Sequence, residues 1–202
     1  VYAGFDTTLY SRSVKTKQPI WAYFHDNRMT YRANPRGAFF MDDDKTTKMF
    51  VVTTCHSDII AFNLLSTNNT SSSSPGGSSS PSKWIRTNTD FANMDVDEKT
   101  AGVRFSTKIA PVILNGKVFV AREDGRISVL SASSGEPVLG TSDDGDDKKT
   151  VLIIETGATK DVPLTSIAAS PLTNQLIIVL ADQLVKSIKI EKAKQQQQQP
   201  TN

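Results

Sequence analysis

The fold is decided by the stretch Val118-Phe-Val-Ala-Arg-Glu-Asp-Gly-Arg-Ile-Ser-Val-Leu-Ser-Ala-Ser-Ser-Gly-Glu-Pro-Val-Leu139, because the chain repeats it. Apolar runs on either side of the Asp-Gly pair predict two strands joined by a tight turn, and a small polar turn then leads into a third strand. Residues 9–21 align with residues 127–139 at a constant offset of 118 (127 − 9).

Two more copies of the unit follow the same plan. Residues 50–62 align with residues 118–130 without a gap, at an offset of 68 (118 − 50). Residues 176–190 form a weaker copy, with two apolar runs around a polar turn. Repeats at a spacing of tens of residues predict stacked supersecondary units, so this periodicity outweighs any single motif.

A further strand precedes the copies. Residues 110–117 carry an apolar run that ends in Asn115-Gly116, which is the strongest two-residue hairpin signal. The unit is therefore a four-stranded antiparallel meander, and no long stretch keeps the 3.6-residue apolar period of a helix. We predict an all-β chain whose antiparallel strands are arranged radially as the blades of a β-propeller, in residues 1–24, 36–64, 111–140 and 167–190.

The recurrence also predicts individual turn and core residues. Hairpin turns are expected at Asp6, Asp58, Asn115, Gly116, Asp124 and Gly125, and Asp182 is a further turn former of this kind. The apolar residues at equivalent strand positions should be largely buried between neighbouring sheets: Phe50, Val52, Ile59, Val118, Val120, Ile127, Val129, Ile177 and Val179.

Residues 110–139 resemble the repeat of PQQ-like (quinoprotein-dehydrogenase-like) β-propellers, through the Asn-Gly-Lys turn, the Val-Phe-Val-Ala strand, the Asp-Gly turn and the Ser-Gly-Glu turn. Residues 1–21, which end in Pro-Ile-Trp, are the second-best match. The resemblance implies blade-end structural tryptophans at Trp21 and Trp84, where the third copy has Leu139. The copies lack the Trp-Asp dipeptide and paired glycines that WD40 and kelch propellers favour.

The number of copies bears on completeness. Four copies predict about four blades, whereas the resembled family usually closes a ring of eight. Because Val1 lies inside a strand of the first copy, we expect the 202 residues to form part of a larger, seven- or eight-bladed ring, completed by a longer polypeptide or by another chain. An open propeller leaves end blades uncovered. A compact four-bladed ring is the alternative.

Composition excludes several classes of function. The net charge is +2, from 23 basic and 21 acidic residues, so nothing favours nucleic acid as a partner. No apolar run has the length that a transmembrane segment requires. Cys55 is the single cysteine, which excludes an internal disulfide. Its neighbour His56 should point to the opposite face of the strand, and His25 is the one other histidine, so we interpret the Cys-His pair as structural.

Three polar segments stand apart from the blades predicted in residues 1–194. A Ser/Asn-rich insert at 66–82, expected to be disordered, contains overlapping glycosylation sequons at Asn68 and Asn69. An acidic loop at 141–149 lacks the spaced ligands of a calcium loop, and the Gln-rich tail at 195–202, also expected to be disordered, is typical of eukaryotic proteins. The sequons and the resemblance favour a secretory lumen or the extracellular space over the cytoplasm.

The sequence contains no Gly-rich phosphate loop, zinc motif or nucleophile elbow. In the resembled enzymes a quinone lies under a vicinal cysteine pair and above calcium ligands, and Cys55 alone cannot supply that pair. We therefore predict no catalytic residue, no cofactor and no metal, and a scaffold or protein-interaction module whose partners are other proteins or the remainder of the propeller. The alternative is a fragment of a PQQ-dependent quinoprotein oxidoreductase whose catalytic residues lie outside this chain.

Overall fold

The computed structural model describes residues 2–3, 8–12, 15–24, 37–41, 48–54, 57–63, 82–87, 103–141 and 149–190. Asp6, Cys55, His56, Asn68, Asn69, the His25 imidazole and the Gln-rich tail lie outside the described residues. Within the described part, all regular structure is β-strand, and all strand pairs are antiparallel. The prediction of an all-β chain is therefore confirmed.

The strands form four successive sheets and one extra hairpin. The first sheet contains β1 (Tyr2–Ala3), β2 (Thr8–Arg12) and β3 (Pro19–Phe24). The second contains β4 (Gly37–Met41), β5 (Lys48–Thr53), β6 (Ile59–Asn63) and β7 (Ser82–Arg86). The third contains β8 (Val112–Leu114), β9 (Lys117–Ala121), β10 (Ile127–Ser131) and β13 (Ile153–Ile154), with β11 (Leu139–Thr141) and β12 (Lys149–Val151) as the hairpin. The fourth contains β14 (Leu164–Ser170), β15 (Gln175–Leu180) and β16 (Val185–Lys189).

The second, third and fourth sheets stack face to face. In β9, Val118 and Val120 belong to an apolar cluster that also contains Met49 and Val51 of the second sheet. The alternate residues Phe119 and Ala121 belong to a different cluster, shared with the fourth sheet. Successive residues of a strand point to opposite faces, so the third sheet is covered on both sides.

The first strands of these sheets lie together. Strand β8 contacts β4 of the second sheet and β14 of the fourth sheet. Because the first strands converge while each sheet runs outward from them, the sheets are arranged radially, as blades around an axis. The predicted radial arrangement of the four segments is therefore confirmed, and the sheets are called blades one to four below.

The turn Asn115-Gly116 between β8 and β9 has the conformation that its sequence predicts. Asn115 has a φ of 51° and Gly116 a φ of 69°. Two successive residues with positive φ define a type I′ turn, which matches the right-handed twist of the paired strands.

Three hairpins in blades two, three and four share another turn geometry. In each, one residue with positive φ donates its N–H to a carbonyl three residues earlier, at 3.1 Å: Ser57 to Thr54, Gly125 to Arg122 and Gln183 to Leu180. Asp124 and Asp182 precede this residue, whereas Asp58 follows it. The side chains of Asp124 and Asp182 accept the N–H two residues later, at 3.1 and 3.0 Å, while the N–H of Asp58 donates to Thr54 Oγ1 at 3.1 Å. Asp58 therefore lies in the turn without being equivalent to Asp124.

The predicted core is confirmed in blades two and three. The following residues are at most 6% exposed: Phe50, Val52, Ile59, Val118, Val120, Ile127 and Val129. The prediction for blade four is wrong, because Ile177 and Val179 are partly exposed while Leu176 and Ile178 are fully buried. A pleated strand shows alternate residues to opposite faces, and only one face of blade four is covered by a described neighbour.

The outer strand of blade three is built from two separate pieces. Residue 137 bridges residue 130, whereas residue 153 pairs with residue 128. Paired residue numbers in an antiparallel ladder have a constant sum, and here the sum rises from 267 (130 + 137) to 281 (128 + 153). Fourteen extra residues (281 − 267) therefore leave the strand as the β11–β12 hairpin and return to it. Thr141 and Lys149 belong to that hairpin, so only the segment between them remains as the acidic loop.

Truncation of a residue buried in blade three tests this stacking. We expect Ile127→Ala to lower the free energy of unfolding by about 2–5 kcal/mol, because it removes buried methyl groups and leaves a cavity. Leu172→Ala is the matched control, since Leu172 is 96% exposed, and its effect should stay within about 0.5 kcal/mol. Urea denaturation followed by far-UV circular dichroism measures both. Equal midpoints for the two variants would contradict the described packing.

Candidate functional site

The junction between blades two and three shows how one blade closes on the next. Trp84 of β7 is 8% exposed and donates its indole Nε1–H to the carbonyl of Ala132 at 3.1 Å. Gly135 lies under the indole ring with a φ of 72°, and a Cβ built there would be 2.6 Å from Trp84 Cδ2. The ring therefore occupies the space that a side chain at residue 135 would need.

Arg86 fastens the same junction on its solvent side. Its Nε donates to the carbonyl of Gly135 at 3.1 Å, and its Nη2 donates to the carbonyl of Ser134 at 3.0 Å. Arg86 also forms a salt bridge with the carboxylate of Glu136. The outer strand of blade two thus holds the polar turn that precedes the outer strand of blade three.

Strand register clarifies the blade-end tryptophan position. Trp21 pairs with Ser11, and Trp84 pairs with Ala61. The repeat offsets relate both partners to Val129 (11 + 118 and 61 + 68), whose carbonyl accepts the N–H of Val138. Val138, rather than Leu139, therefore occupies the tryptophan position in blade three. A register shift precedes each tryptophan, which explains why an ungapped alignment selects the neighbouring residue.

A second polar network joins blades three and four. Thr156 is 2% exposed, and its Oγ1 donates to the carbonyl of Gly125 at 2.6 Å while accepting the N–H of Ala158 at 3.0 Å. Lys186 of β16 donates to the carbonyl of Thr156 at 2.8 Å. The β9–β10 turn is therefore tied to the connecting segment, and that segment is tied to blade four.

Blade four presents a face that no described neighbour covers. We define this outer face by the residues whose register places them opposite the buried side of the blade: Ser166, Ala168, Ser170, Gln175, Ile177, Val179, Val185, Ser187 and Lys189. Its centre is apolar, because Ile177 and Val179 are neighbours along β15 and Val179 pairs with Val185. Val185 is 61% exposed. Serine residues flank this centre on β14 and β16.

The predicted turn residues are not brought together in one site. Asp58, Asn115 and Asp124 lie in turns of separate hairpins. Asp124 accepts Arg126 Nε at 2.8 Å and Nη2 at 2.6 Å, so its carboxylate is ion-paired. In the described part of the chain, no three His, Cys, Asp or Glu side chains are grouped so that they could hold a metal ion. Across the same residues, no helix has the length and apolarity that crossing a bilayer requires.

Sequence reasoning missed the side chains that fasten the blades. Arg86, Thr156 and Lys186 bind backbone carbonyls of neighbouring segments. Their partners are 49, 31 and 30 residues away in sequence, so no local motif identifies them. The one available signal is the Ser-Gly-Glu turn at 134–136, which belongs to the repeat and receives the Arg86 contacts.

No protein-family model matches this sequence, and no curated protein matches it. Solved structures do. The β-propeller domain of Cps50 (Swd1) from Myceliophteria thermophila is similar with a TM-score of 0.54 and 10% sequence identity, over 94% of this chain and 49% of that chain. BamB from Moraxella catarrhalis has a TM-score of 0.48 and 14% identity, over 92% of this chain and 44% of that chain.

The chain has a β-propeller fold, as the radial sheets and the similarity to the Swd1 domain show together. Nearly all of this chain superposes on about half of that domain, so it spans about half the length of the propeller that it matches. The fold is therefore that of a partial propeller, as the repeat count predicts.

A glycine substitution tests the junction between blades two and three. Gly135→Ala and Gly116→Ala both introduce a Cβ at positive φ, which costs about 1–2 kcal/mol. Only Gly135→Ala meets the Trp84 ring, since nothing lies within 4 Å of the Cβ position at Gly116. We expect Gly135→Ala to destabilise the protein by about 1–3 kcal/mol more than Gly116→Ala. Thermal and urea denaturation measure the difference.

A double-mutant cycle separates the ring contact from other effects. The extra cost of Gly135→Ala should disappear in a Trp84→Ala background, because the obstructing ring is then absent. An extra cost that persists without the ring would show that Trp84 is not its source.

Proposed function

We propose that this chain is a non-catalytic β-propeller interaction module, and that the outer face of blade four packs against a further blade supplied by a longer polypeptide or by another chain. The observation that carries the proposal is a difference between two middle strands. Every residue from 118 to 121 in β9 is buried, whereas burial alternates along β15. The outer face is apolar where a neighbouring blade would cover it.

The composition of the outer face supports a blade as the occupant. The faces between described blades combine β-branched and small side chains, such as Val118, Val120 and Ala132. The outer face offers the same kinds of side chain in Ile177, Val179 and Ala168. Its charged residue, Lys189, lies at the border of the face on β16, where a blade edge reaches solvent.

The first blade supports the same proposal from the other end of the stack. Its offset of 118 relates β1 to β9, so β1 takes the place of the second strand of a blade. Among the described residues, β1 pairs with β2 alone and no strand takes the place of β8 beside it. An added blade or strand at this position would complete the sheet.

The PQQ-like character of the repeat and a secretory or extracellular location are parts of the same proposal. The repeat residues of blade three support the first, and the sequons at Asn68 and Asn69 support the second. The runner-up function, a fragment of a quinoprotein oxidoreductase, rests on the same repeat residues and needs a cofactor site that the rest of the polypeptide would provide.

The outer face can be tested by charge substitution. We expect the purified 202-residue chain to self-associate at micromolar concentration, because an exposed apolar sheet face favours association. The double variant Ile177→Lys/Val179→Lys should reduce this association and keep the β-sheet circular dichroism spectrum. Leu172→Lys/Leu184→Lys adds the same charge at exposed turn positions outside the face, and it should leave association unchanged. Sedimentation velocity measures all three proteins.

Two outcomes would contradict the ring-completion proposal. A monodisperse parent chain that melts cooperatively would instead support a self-closed four-bladed ring. Equal association of the two double variants would place the contact elsewhere on the surface.

The non-catalytic part of the proposal has its own test. A quinone enzyme needs contacts to the carboxylates of the cofactor, a divalent cation and a base over the quinone ring. We expect no stoichiometric binding of pyrroloquinoline quinone in the presence of calcium, and no dye reduction with alcohols or aldose sugars. Binding with substrate-dependent turnover would support the oxidoreductase alternative, and a soluble quinoprotein glucose dehydrogenase serves as the positive control.

A further inference from the structure

A cleft of about 610 Å³ lies between blades three and four, away from the outer face. Three segments form its walls: residues 106–109, the β9–β10 turn at residues 122–125, and residues 159–164. We call it the junction cleft. Its volume falls within the range of about 300–1,000 Å³ that holds small ligands in proteins.

The junction cleft exists because the first strand of blade three is interrupted. Phe105 bridges Arg122, whereas Val112 pairs with Phe119. The sum of paired residue numbers rises from 227 (105 + 122) to 231 (112 + 119), so four extra residues leave the ladder. Ile109 of this bulge is buried in the core, which anchors it, while Lys108 remains exposed.

The floor of the junction cleft carries a buried cation. The Arg122 side chain is 5% exposed, and its Nε lies 3.4 Å from Asp124 Oδ2. The same oxygen lies 2.6 Å from Arg126 Nη2, so Arg126 shares the neutralisation of Asp124. The positive charge of Arg122 is thereby only partly balanced, in surroundings where poor solvation strengthens its field.

Two exposed lysines add to this field at the rim. Lys108 belongs to the bulge, and Lys160 belongs to the segment that leads into blade four. They lie on different walls of the same cleft. Together with the two arginines they outnumber the rim carboxylates of Glu123 and Asp124, so a single anionic group is attracted to the opening.

The lining also defines what the anion is attached to. Ile109, Pro163 and Leu164 contribute apolar surface beside the charged groups. A chain of phosphates would place repeated charge against these residues and against Glu123. A peptide that alternates a carboxylate with an aliphatic side chain matches both kinds of lining.

We propose that the junction cleft binds an acidic peptide segment, with an aspartate or glutamate side chain directed toward Arg122 between Lys108 and Lys160, and a neighbouring aliphatic side chain against Pro163 and Leu164. This proposal does not depend on how the outer face of blade four is covered. It adds a peptide-recognition site to the fold, and the planar guanidinium suits a carboxylate in particular.

The test measures binding of a fluorescein-labelled, end-capped peptide in which glutamate alternates with leucine, by fluorescence anisotropy with the full chain. We expect saturable binding that weakens as salt is added, because charge attraction contributes to it. Lys108→Glu/Lys160→Glu should weaken binding about tenfold or more, since it replaces two attractions with two repulsions. Lys15→Glu/Lys83→Glu is the matched control, with the same charge change at exposed lysines outside the cleft.

Both double variants change exposed residues, so circular dichroism should show the same fold for each. A peptide with glutamine in place of glutamate should lose binding. Unchanged affinity of Lys108→Glu/Lys160→Glu, equal loss in the control variant, or equal binding of the glutamine peptide would overturn the proposal. Preferential, cleft-dependent binding of inorganic polyphosphate over the peptide would also overturn it, by assigning the cleft to phosphate.

Discussion

The structure depends on one constraint, which is that each blade has two apolar faces and is stable only when both are covered. Blade three satisfies it, with Val118 and Val120 against blade two and Phe119 and Ala121 against blade four. This is why its strands read as nearly continuous apolar runs rather than as alternating ones. A stack of such blades ends without an exposed apolar face only if it closes into a ring.

The junctions divide the work of holding blades together between two kinds of contact. Apolar side chains fill the space between sheets, while Trp84, Arg86, Thr156 and Lys186 bind carbonyls of the neighbouring segment. Since the acceptors are backbone groups, the receiving segment has to supply a path of the chain rather than particular side chains. Gly135 is the exception, because the indole ring needs the space beside its Cα. Neighbouring blades can thus be fastened alike while their sequences differ.

The fold could be predicted from the sequence because its information is local. The Asn115-Gly116 pair selects a type I′ turn, and the recurring apolar runs identify the strands. Long-range choices were less accessible. Ile177 and Ile178 are equally apolar, and which of them is buried depends on the face that a neighbouring blade covers. The junction cleft was equally hidden, since it arises from a bulge that only the pairing of Phe105 with Arg122 reveals.

The split outer strand of blade three shows where this architecture accepts additional chain. The strand resumes its pairing with β10 after the β11–β12 excursion as if the two pieces were continuous. The hydrogen bond from the Leu152 N–H to the Val138 carbonyl, at 2.8 Å, closes the base of the excursion. Since its ends are held together, lengthening it adds little loop-closure entropy. The outer rim of a blade is therefore a place where new segments can be acquired or grafted without disturbing the ladder inside it.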